Sequence, residues 1–323
     1  MWGNRLGWAI SAVIATVVIS SLTFYARGAS TVSPPTLFGF EAADDDLAIA
    51  VPAQSVIGEL TPCDAAQPYS ESLALYRREP NVYDDVAAGT SRTSDLSQLP
   101  AIQRLIEGAH CQHMSLFTGD PGRVVQYGEP PDIEALRTIG RAAVRVGLSL
   151  QTAKRSADAI RCYEAAFALG AKLYDERLTY REMMVGMELM GEAGVVLSRL
   201  TFATGDTARS EAAQKYESAR RSTFTSKVQP VAQKLISIDR NVVGRHVGDM
   251  FYLAGHAKER MWRVEAILAL GRMQYFVGEG GRRADQRGAT RHLKQHAMDK
   301  DPAIRAAAKA ALELTREQMR TLG

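Results

Sequence analysis

The acidic side chains best placed for chemistry lie on a predicted Met-rich helix. Glu188 and Glu192 share one face of it, and Glu182 stands near its start. Burial of that face would raise the pKa values of these glutamates and suit one to general acid catalysis. Methionines at helical spacing more often form core, however. We therefore expect the glutamates at the polar edge of the helix, with Arg181 and Arg199 as partners.

Two groups of histidines have spacings that occur in metal sites. His292 and His296 are four residues apart on a predicted helix, which places both rings on one face. Lys294 and Gln295 stand between them, so the glutamate of a zinc protease is missing. The run from His110 to His113 holds two histidines and one cysteine but lacks a fourth ligand. We expect His292 and His296 to lie on a solvated helix face and the run from His110 to His113 to end a helix. We expect no metal at either place.

Other catalytic signatures are absent from the sequence. The glycines of residues 278 to 281 follow no predicted strand, so they indicate a loop and not a phosphate-binding turn. A transglycosylase would place a Gly-x-Met-Gln segment after a Glu-Ser pair, and neither Glu71-Ser72 nor Glu217-Ser218 has one. We therefore assign no catalytic, cofactor-binding or metal residues, expect no cofactor, and predict that the protein is not an enzyme. An envelope enzyme that acts on glycans is the alternative.

The N-terminal segment predicts a membrane anchor. Residues 6 to 26 contain no charge, and Arg5 and Arg27 bracket them. As a helix this segment would be about 31 Å long, which matches a bilayer core of roughly 30 Å. A cleaved signal peptide, with a mature chain beginning at Ala29, is the competing interpretation. Residues 1 to 28 are thus predicted to be a single-pass transmembrane signal anchor.

Positive charges near the anchor predict its orientation. The free N-terminus and Arg5 lie on one side, whereas the other side has Arg27 alone until Arg77. We expect an inner-membrane protein whose body lies outside the cytoplasm, in the periplasmic space. That compartment permits a disulfide, and Cys63 with Cys111 is the most plausible pair. Cys162, between apolar neighbours on a helix, indicates a small core residue.

Composition separates a tether from a helical body. The chain of 323 residues is 46% hydrophobic and 23% charged, which is typical of a globular protein. Residues 29 to 100 carry 11 acidic and 3 basic side chains, and residues 29 to 68 are rich in proline without a sustained apolar period. We expect an acidic flexible tether over 29 to 68.

Helical periodicity continues through most of the remaining sequence. Apolar residues recur at three- and four-residue steps after Asp132, a predicted N-cap, and no segment shows convincing strand alternation. We therefore predict an all-α fold, a bundle or solenoid of helix hairpins. The expected divisions are a helical domain over 69 to 255 and helical repeats over 256 to 323.

Two stretches resemble known helical repeats. Gly147, Ala159, Tyr163 and Ala166 match the small and aromatic positions of a tetratricopeptide repeat, although its tryptophan and proline positions hold Ala143 and Ala171. At the C-terminus, residues 301 to 312 look like the second helix of a HEAT-type repeat, with an aspartate cap, a proline and stacked alanines. Residues 263 to 271 have a similar spacing, and 287 to 294 would be a first helix. Over residues 70 to 200 the layout is similar to bacterial membrane-anchored helical proteins.

The expected function is that of an interaction protein. An anchored helical body without a catalytic constellation predicts a membrane-anchored, non-enzymatic scaffold of the bacterial envelope. Its partners would be the lipid bilayer, through residues 6 to 26, and another protein. Residues 258 to 323 carry 14 basic and 8 acidic side chains, but no nucleic acid partner is expected outside the cytoplasm.

Overall fold

Helices make up most of the structure, a computed structural model that describes residues 40–236, 243–276 and 283–314. The chain is mainly α-helical, as the periodicity predicts. The α-helices, named α1 to α13 in chain order, are Gln54–Ile57, Ala66–Tyr76, Pro80–Ala88, Pro100–Ala109, Pro131–Thr152, Ser156–Glu176, Tyr180–Ala203, Thr207–Thr223, Gln229–Ile236, Val243–His256, Arg260–Phe276, Arg283–His296 and Pro302–Glu313. A π-helical turn, Phe224–Val228, joins α8 to α9.

The helix starts follow local rules. Prolines occupy the first turns of α3, α4, α5 and α13, where the missing N–H would have no partner within the helix. The side chains of Thr179, Asp206 and Asp301 cap α7, α8 and α13. Asp132 is not the N-cap of α5, contrary to the sequence prediction. The helix begins at Pro131, and the Asp132 side chain is buried against Arg77 and Arg123.

Helices α5 to α8 pack in succession, each against the next. Small residues set their spacing. A Cβ on Gly147 of α5 would lie 2.4 Å from the Tyr163 ring on α6, so this glycine makes room for the tyrosine. The backbones of α6 and α7 also meet directly, because a Cβ on Gly186 would lie 2.6 Å from the Gly170 carbonyl oxygen. The helix pair predicted around Gly147 and Tyr163 is therefore present.

A second group of helices, α10 to α13, follows. α11 packs against α10, α12 and α13. Ala307, Ala308 and Ala311 of α13 are completely buried, and a Cβ on Gly271 of α11 would lie 2.7 Å from that of Ala311. The alanine stripe thus lies at a close helix contact.

Two short strands interrupt the helices. β1, Thr61–Asp64, pairs in parallel with β2, Cys111–His113. Segments of three and four residues are too short to show alternation, so the sequence pattern does not predict these strands. The strands bring Cys63 and Cys111 to a Cα–Cα distance of 4.7 Å, and the two cysteines form a disulfide. Cys162 is buried and free, as expected.

The flexible tether expected over residues 29 to 68 differs from the structure where the segment is described. Between residues 40 and 68 several apolar side chains are buried, and Phe40, Leu47 and Val56 retain at most 1% exposure. Arg209 of α8 donates hydrogen bonds to the carbonyls of Val56 and Ile57. The segment covers the helices through side chains without regular spacing, which is why periodicity did not reveal it.

The described residues from 40 onward belong to one compact unit, so the expected division between residues 255 and 256 does not separate two bodies. It falls at the end of α10, which packs against α11. Among the described helices, none combines the length and the apolar character needed to cross a membrane. The predicted anchor, residues 6 to 26, lies outside the described residues.

Candidate functional site

Two of the three glutamates on the Met-rich helix, now α7, lie at its polar edge. Arg137 Nε donates one bifurcated hydrogen bond to the two carboxylate oxygens of Glu188, at 3.0 and 2.9 Å, and Glu192 lies 3.4 Å from Arg141. Their partners are thus arginines of α5 and not Arg181 and Arg199. Arg181 pairs instead with Glu134. These half-exposed pairs stabilise the contact between α5 and α7 only modestly.

The histidines occupy structural positions. His292 stacks on Phe251, with ring centroids 4.0 Å apart, and His296 is buried 3.8 Å from Asp299. Burial lowers the pKa of both histidines. His110 lies 3.8 Å from Glu164, and His113 lies 3.8 Å from Asp64. Within the part of the chain that the structure describes, no group of three or more His, Cys, Asp or Glu side chains is placed to hold a metal ion.

The Glu-Ser pairs are also structural. Glu71 lies 3.1 Å from Arg104, and the buried Ser72 hydroxyl donates to the Ala101 carbonyl. Glu217 accepts hydrogen bonds from Arg220 and Arg221. Residues 278 to 281 lie outside the described residues.

Two buried carboxyl groups with raised pKa values lie around the turn between α6 and α7. Glu176 ends α6 and is 7% exposed, and Glu182 in the first turn of α7 is completely buried. Phe117 N and Thr118 Oγ1 donate to Glu176 Oε1 at 2.9 and 2.7 Å. Glu176 Oε2 and Glu182 Oε1 have no hydrogen-bond partner among the described residues. Each carboxyl is therefore only half satisfied, which favours its protonated form.

A capping arrangement holds Glu182 in place. Thr179 Oγ1 accepts from Glu182 N at 3.2 Å, while Glu182 Oε2 accepts from Leu178 N at 2.7 Å. This resembles a capping box, in which the side chains of the N-cap residue and of the residue three positions later each accept a hydrogen bond from the other's backbone N–H. Here the Glu182 side chain accepts from Leu178 N, one residue before the N-cap. Burial raises the pKa of Glu182 well above its usual value, and the nearby Glu176 carboxyl raises it further.

Glu265 of α11 joins the same region. Its Oε1 accepts from Tyr180 N at 2.9 Å, and burial raises its pKa. Burial also raises the pKa of Glu176, against the hydrogen bonds from Thr118. We name Glu176, Glu182 and Glu265 the carboxyl cluster. It lies where the turn between α6 and α7 meets α11.

A charged cleft of about 450 Å³ opens beside the carboxyl cluster, and Glu176, Arg177 and Arg260 are among its lining residues. Arg177 donates to both carboxyl oxygens of Glu259 at 3.2 Å. The φ of Arg177 is +23°, a conformation that non-glycine residues rarely adopt. A carboxyl with a raised pKa at the edge of such a cleft, as Glu176 is, is a candidate general acid.

A third feature is a groove of about 470 Å³ between α7 and α8, which we call the α7–α8 groove. Val195 and Arg199 line it from α7, and Arg221 lines it from α8. Phe202 follows seven residues after Val195, on the same helix face, and is 66% exposed. Val195 and Phe202 thus place two exposed apolar side chains on this face of α7.

Comparison with protein-family models, with curated proteins and with solved structures finds no match to this chain. The function must therefore be argued from the residues and their arrangement.

Proposed function

We propose that this protein is a non-enzymatic interaction protein of the bacterial envelope. In this proposal residues 6 to 26 anchor it in the inner membrane as a single-pass helix, and the helical body lies outside the cytoplasm. The body binds a second protein, and no nucleic acid takes part.

The disulfide supports the location of the body. Disulfides form and persist in oxidising compartments, and they are rare in the bacterial cytoplasm. Cys63 and Cys111 lie at the start of the helical body, and their bond closes a loop with a sequence separation of 48 residues. A body that folds outside the cytoplasm would form this bond during export.

The α7–α8 groove is the observation that carries the interaction role. Val195, 38% exposed, and Phe202 offer apolar contacts, while Arg199 between them is exposed and has no partner among the described residues. A groove with apolar and cationic positions on one helix face suits an amphipathic segment that carries acidic residues. Such a segment would place apolar side chains against Val195 and Phe202 and a carboxylate against Arg199.

Crosslinking and affinity capture from membranes test the interaction. Val195→Asp adds a negative charge to the groove, so we expect it to lose any partner that the wild-type chain captures. Val82→Asp is the matched control, because Val82 is also an exposed valine, at 41%, on α3. A partner retained equally by both variants, or no specific partner, would contradict the proposal.

Fractionation and protease accessibility test the anchor. The chain should stay with membranes during carbonate extraction, and deletion of residues 6 to 26 should release it. A protease added outside spheroplasts should degrade the body. A mature N-terminus at Ala29, or a body protected until detergent is added, would contradict the anchor or its orientation.

The second candidate function is an envelope enzyme that acts on glycans. Glu176 favours it, because this carboxyl with a raised pKa lies at the edge of the charged cleft. If Glu176 is a general acid, the protein should release soluble fragments from purified peptidoglycan and Glu176→Gln should not. If the wild-type chain releases no fragments, the enzyme candidate is rejected and only the interaction role remains.

A further inference from the structure

A cleft of about 490 Å³ lies between the segment that follows α3 and the C-terminal half of α5. We call it the arginine cleft, because Arg92 and Arg145 contribute its two charged side chains. No acidic side chain is among the described residues that line it. Its volume is within the usual range of small-ligand sites, roughly 300 to 1,000 Å³.

The two arginines have no acidic partner among the described residues. In contrast, Arg141 and Arg137, one and two turns earlier on α5, pair with Glu192 and Glu188. Arg145 and Arg92 are exposed and have no ion pair with a described residue. Guanidinium groups donate hydrogen bonds and never accept them, and their geometry matches a carboxylate. The cleft therefore offers a site for an anionic group.

The hydroxyl groups in the cleft have a different role. Ser149 Oγ donates to the Arg145 carbonyl at 3.3 Å, and Thr152 Oγ1 donates to the Leu148 carbonyl at 2.9 Å. Their protons are thus used within α5, and only their lone pairs remain for a ligand. Three more hydroxyls line the opposite wall: Ser91, Thr93 and Ser94. A ligand that suits Ser149 and Thr152 must itself donate hydrogen bonds.

An apolar patch completes the lining. Leu148, 36% exposed, lies on α5 next to Ser149 and one turn before Thr152, and Val86 lines the cleft from α3. The ring face of a sugar presents C–H groups that pack against such a surface, while its hydroxyls point outward. The cleft thus combines charge, hydrogen-bond acceptors and an apolar contact.

We propose that the arginine cleft binds an acidic saccharide, a short run of sugar units that carry carboxylates. The carboxylates would contact Arg92 and Arg145, the sugar hydroxyls would donate to Ser149 and Thr152, and a ring would pack on Leu148. Inorganic phosphate and acidic side chains would also pair with the arginines, but a carboxylate has no proton to donate and hydrogen phosphate has only one, whereas each sugar unit carries several hydroxyls. The proposal goes beyond the protein-binding role and does not depend on it, because none of these residues lines the α7–α8 groove.

Calorimetric titration of the full-length chain, purified in a nonionic detergent, tests the proposal. The probe is the trimer of galacturonic acid, and the matched neutral sugar is maltotriose. We expect the acidic trimer to bind at least about tenfold more tightly than maltotriose, because the neutral sugar cannot form charge-assisted hydrogen bonds. Hexaglutamate and inorganic phosphate serve as competitors without sugar hydroxyls, and we expect neither to displace the trimer at equal concentration.

Variants locate the site. Arg92→Gln and Arg145→Gln should each weaken binding of the trimer by about tenfold or more. Thr152→Val, which keeps the shape of the side chain but removes the acceptor, should weaken binding severalfold. Arg291→Gln, an equal charge change on α12, should leave binding unchanged. All four residues lie at exposed positions, so circular dichroism should show folded chains.

Three results would overturn the proposal. The first is equal binding by the wild-type chain and both arginine variants. The second is a loss with the arginine variants but none with Thr152→Val, which would mean that charge alone attracts the probe. The third is displacement by hexaglutamate or phosphate at equal concentration, which would assign the cleft to an acidic peptide or to a simple anion.

Discussion

Glu182 shows how burial controls the chemistry of a single residue. Its side chain is completely buried, and only one of its two oxygens has a hydrogen-bond partner among the described residues. Ionisation there would place a negative charge in a buried site beside Glu176, and this cost raises the pKa of Glu182. Because the pKa of Glu182 is raised above its usual 4.5, the folded chain binds more protons than the unfolded chain above about that pH.

The first prediction follows from this linkage. The stability that the proton confers is fully present below pH 4.5 and is lost as pH rises through the folded pKa. Glu182→Gln keeps an acceptor for Leu178 N and removes the charge. At pH 8 we therefore expect this variant to be more stable than the wild type by about 1 to 3 kcal/mol, with no such gain at pH 4. Urea unfolding at both pH values measures the difference.

Glu192→Gln is the control, since Glu192 is 37% exposed and pairs with Arg141. Its effect on stability should be small and should not grow with pH. A Glu182→Gln gain that is equal at pH 4 and pH 8 would mean that Glu182 is not protonated in the folded state.

The sequence prediction placed all three glutamates of α7 at its polar edge, and for Glu182 it was wrong, because that side chain is buried. The Thr179-x-x-Glu182 spacing is a capping signature, and it could have distinguished Glu182 from Glu188 and Glu192. The raised pKa could not be predicted, because the environment of Glu182 includes Glu176 of α6 and Arg260 of α11. The charge of a buried group depends on neighbours that are distant in sequence.

At the scale of elements, the sequence predicted the helices well and their contacts poorly. Apolar spacing identified α5 to α7, and the aspartate cap and proline identified α13, because these signals are local; only the cap predicted for α5, at Asp132, was wrong. The close approach of α6 and α7 was not foreseen. Gly170 and Gly186 carry no periodic signal, yet their backbones touch where these helices cross.

The second prediction tests that crossing. A Cβ on Gly186 would lie 2.6 Å from the Gly170 carbonyl oxygen and 2.9 Å from Tyr174 N. Both neighbours are backbone atoms, so no side chain can move to relieve the clash, and α6 and α7 must separate. Gly186→Ala should therefore lower the free energy of unfolding by at least about 2 kcal/mol. Thermal melts followed by circular dichroism measure the loss.

A glycine-to-alanine substitution at a position without close neighbours should instead increase stability. Gly248 lies on α10, and nothing is within 4 Å of its added Cβ. Gly248→Ala should stabilise the chain by roughly 0.5 to 1 kcal/mol, because alanine restricts the unfolded chain and favours helix. Equal melting temperatures for the two variants would show that α6 and α7 do not meet at these glycines.

At the scale of the whole molecule, the N-terminal segment differs most from its prediction. Residues 40 to 68 have the prolines and acidic charge of a tether, but they lie against helices that are distant in sequence. Leu47 N donates to Glu259, 212 residues away, and Lys227 donates to the Asp46 carbonyl. Such contacts depend on the shape of the folded surface, so local composition cannot reveal them.

The disulfide between Cys63 and Cys111 connects this covering segment to β2, and it provides the last prediction. A bond that closes a loop of 48 residues restricts the unfolded chain, so its removal should lower stability by about 3 to 4 kcal/mol. Calorimetry of the wild-type chain with and without reductant measures this loss. The double variant Cys63→Ser with Cys111→Ser should have a melting temperature near that of the reduced wild type, and reductant should not change it. In denaturant without reductant, a maleimide should label only Cys162; labelling of all three cysteines would mean that the bond does not form.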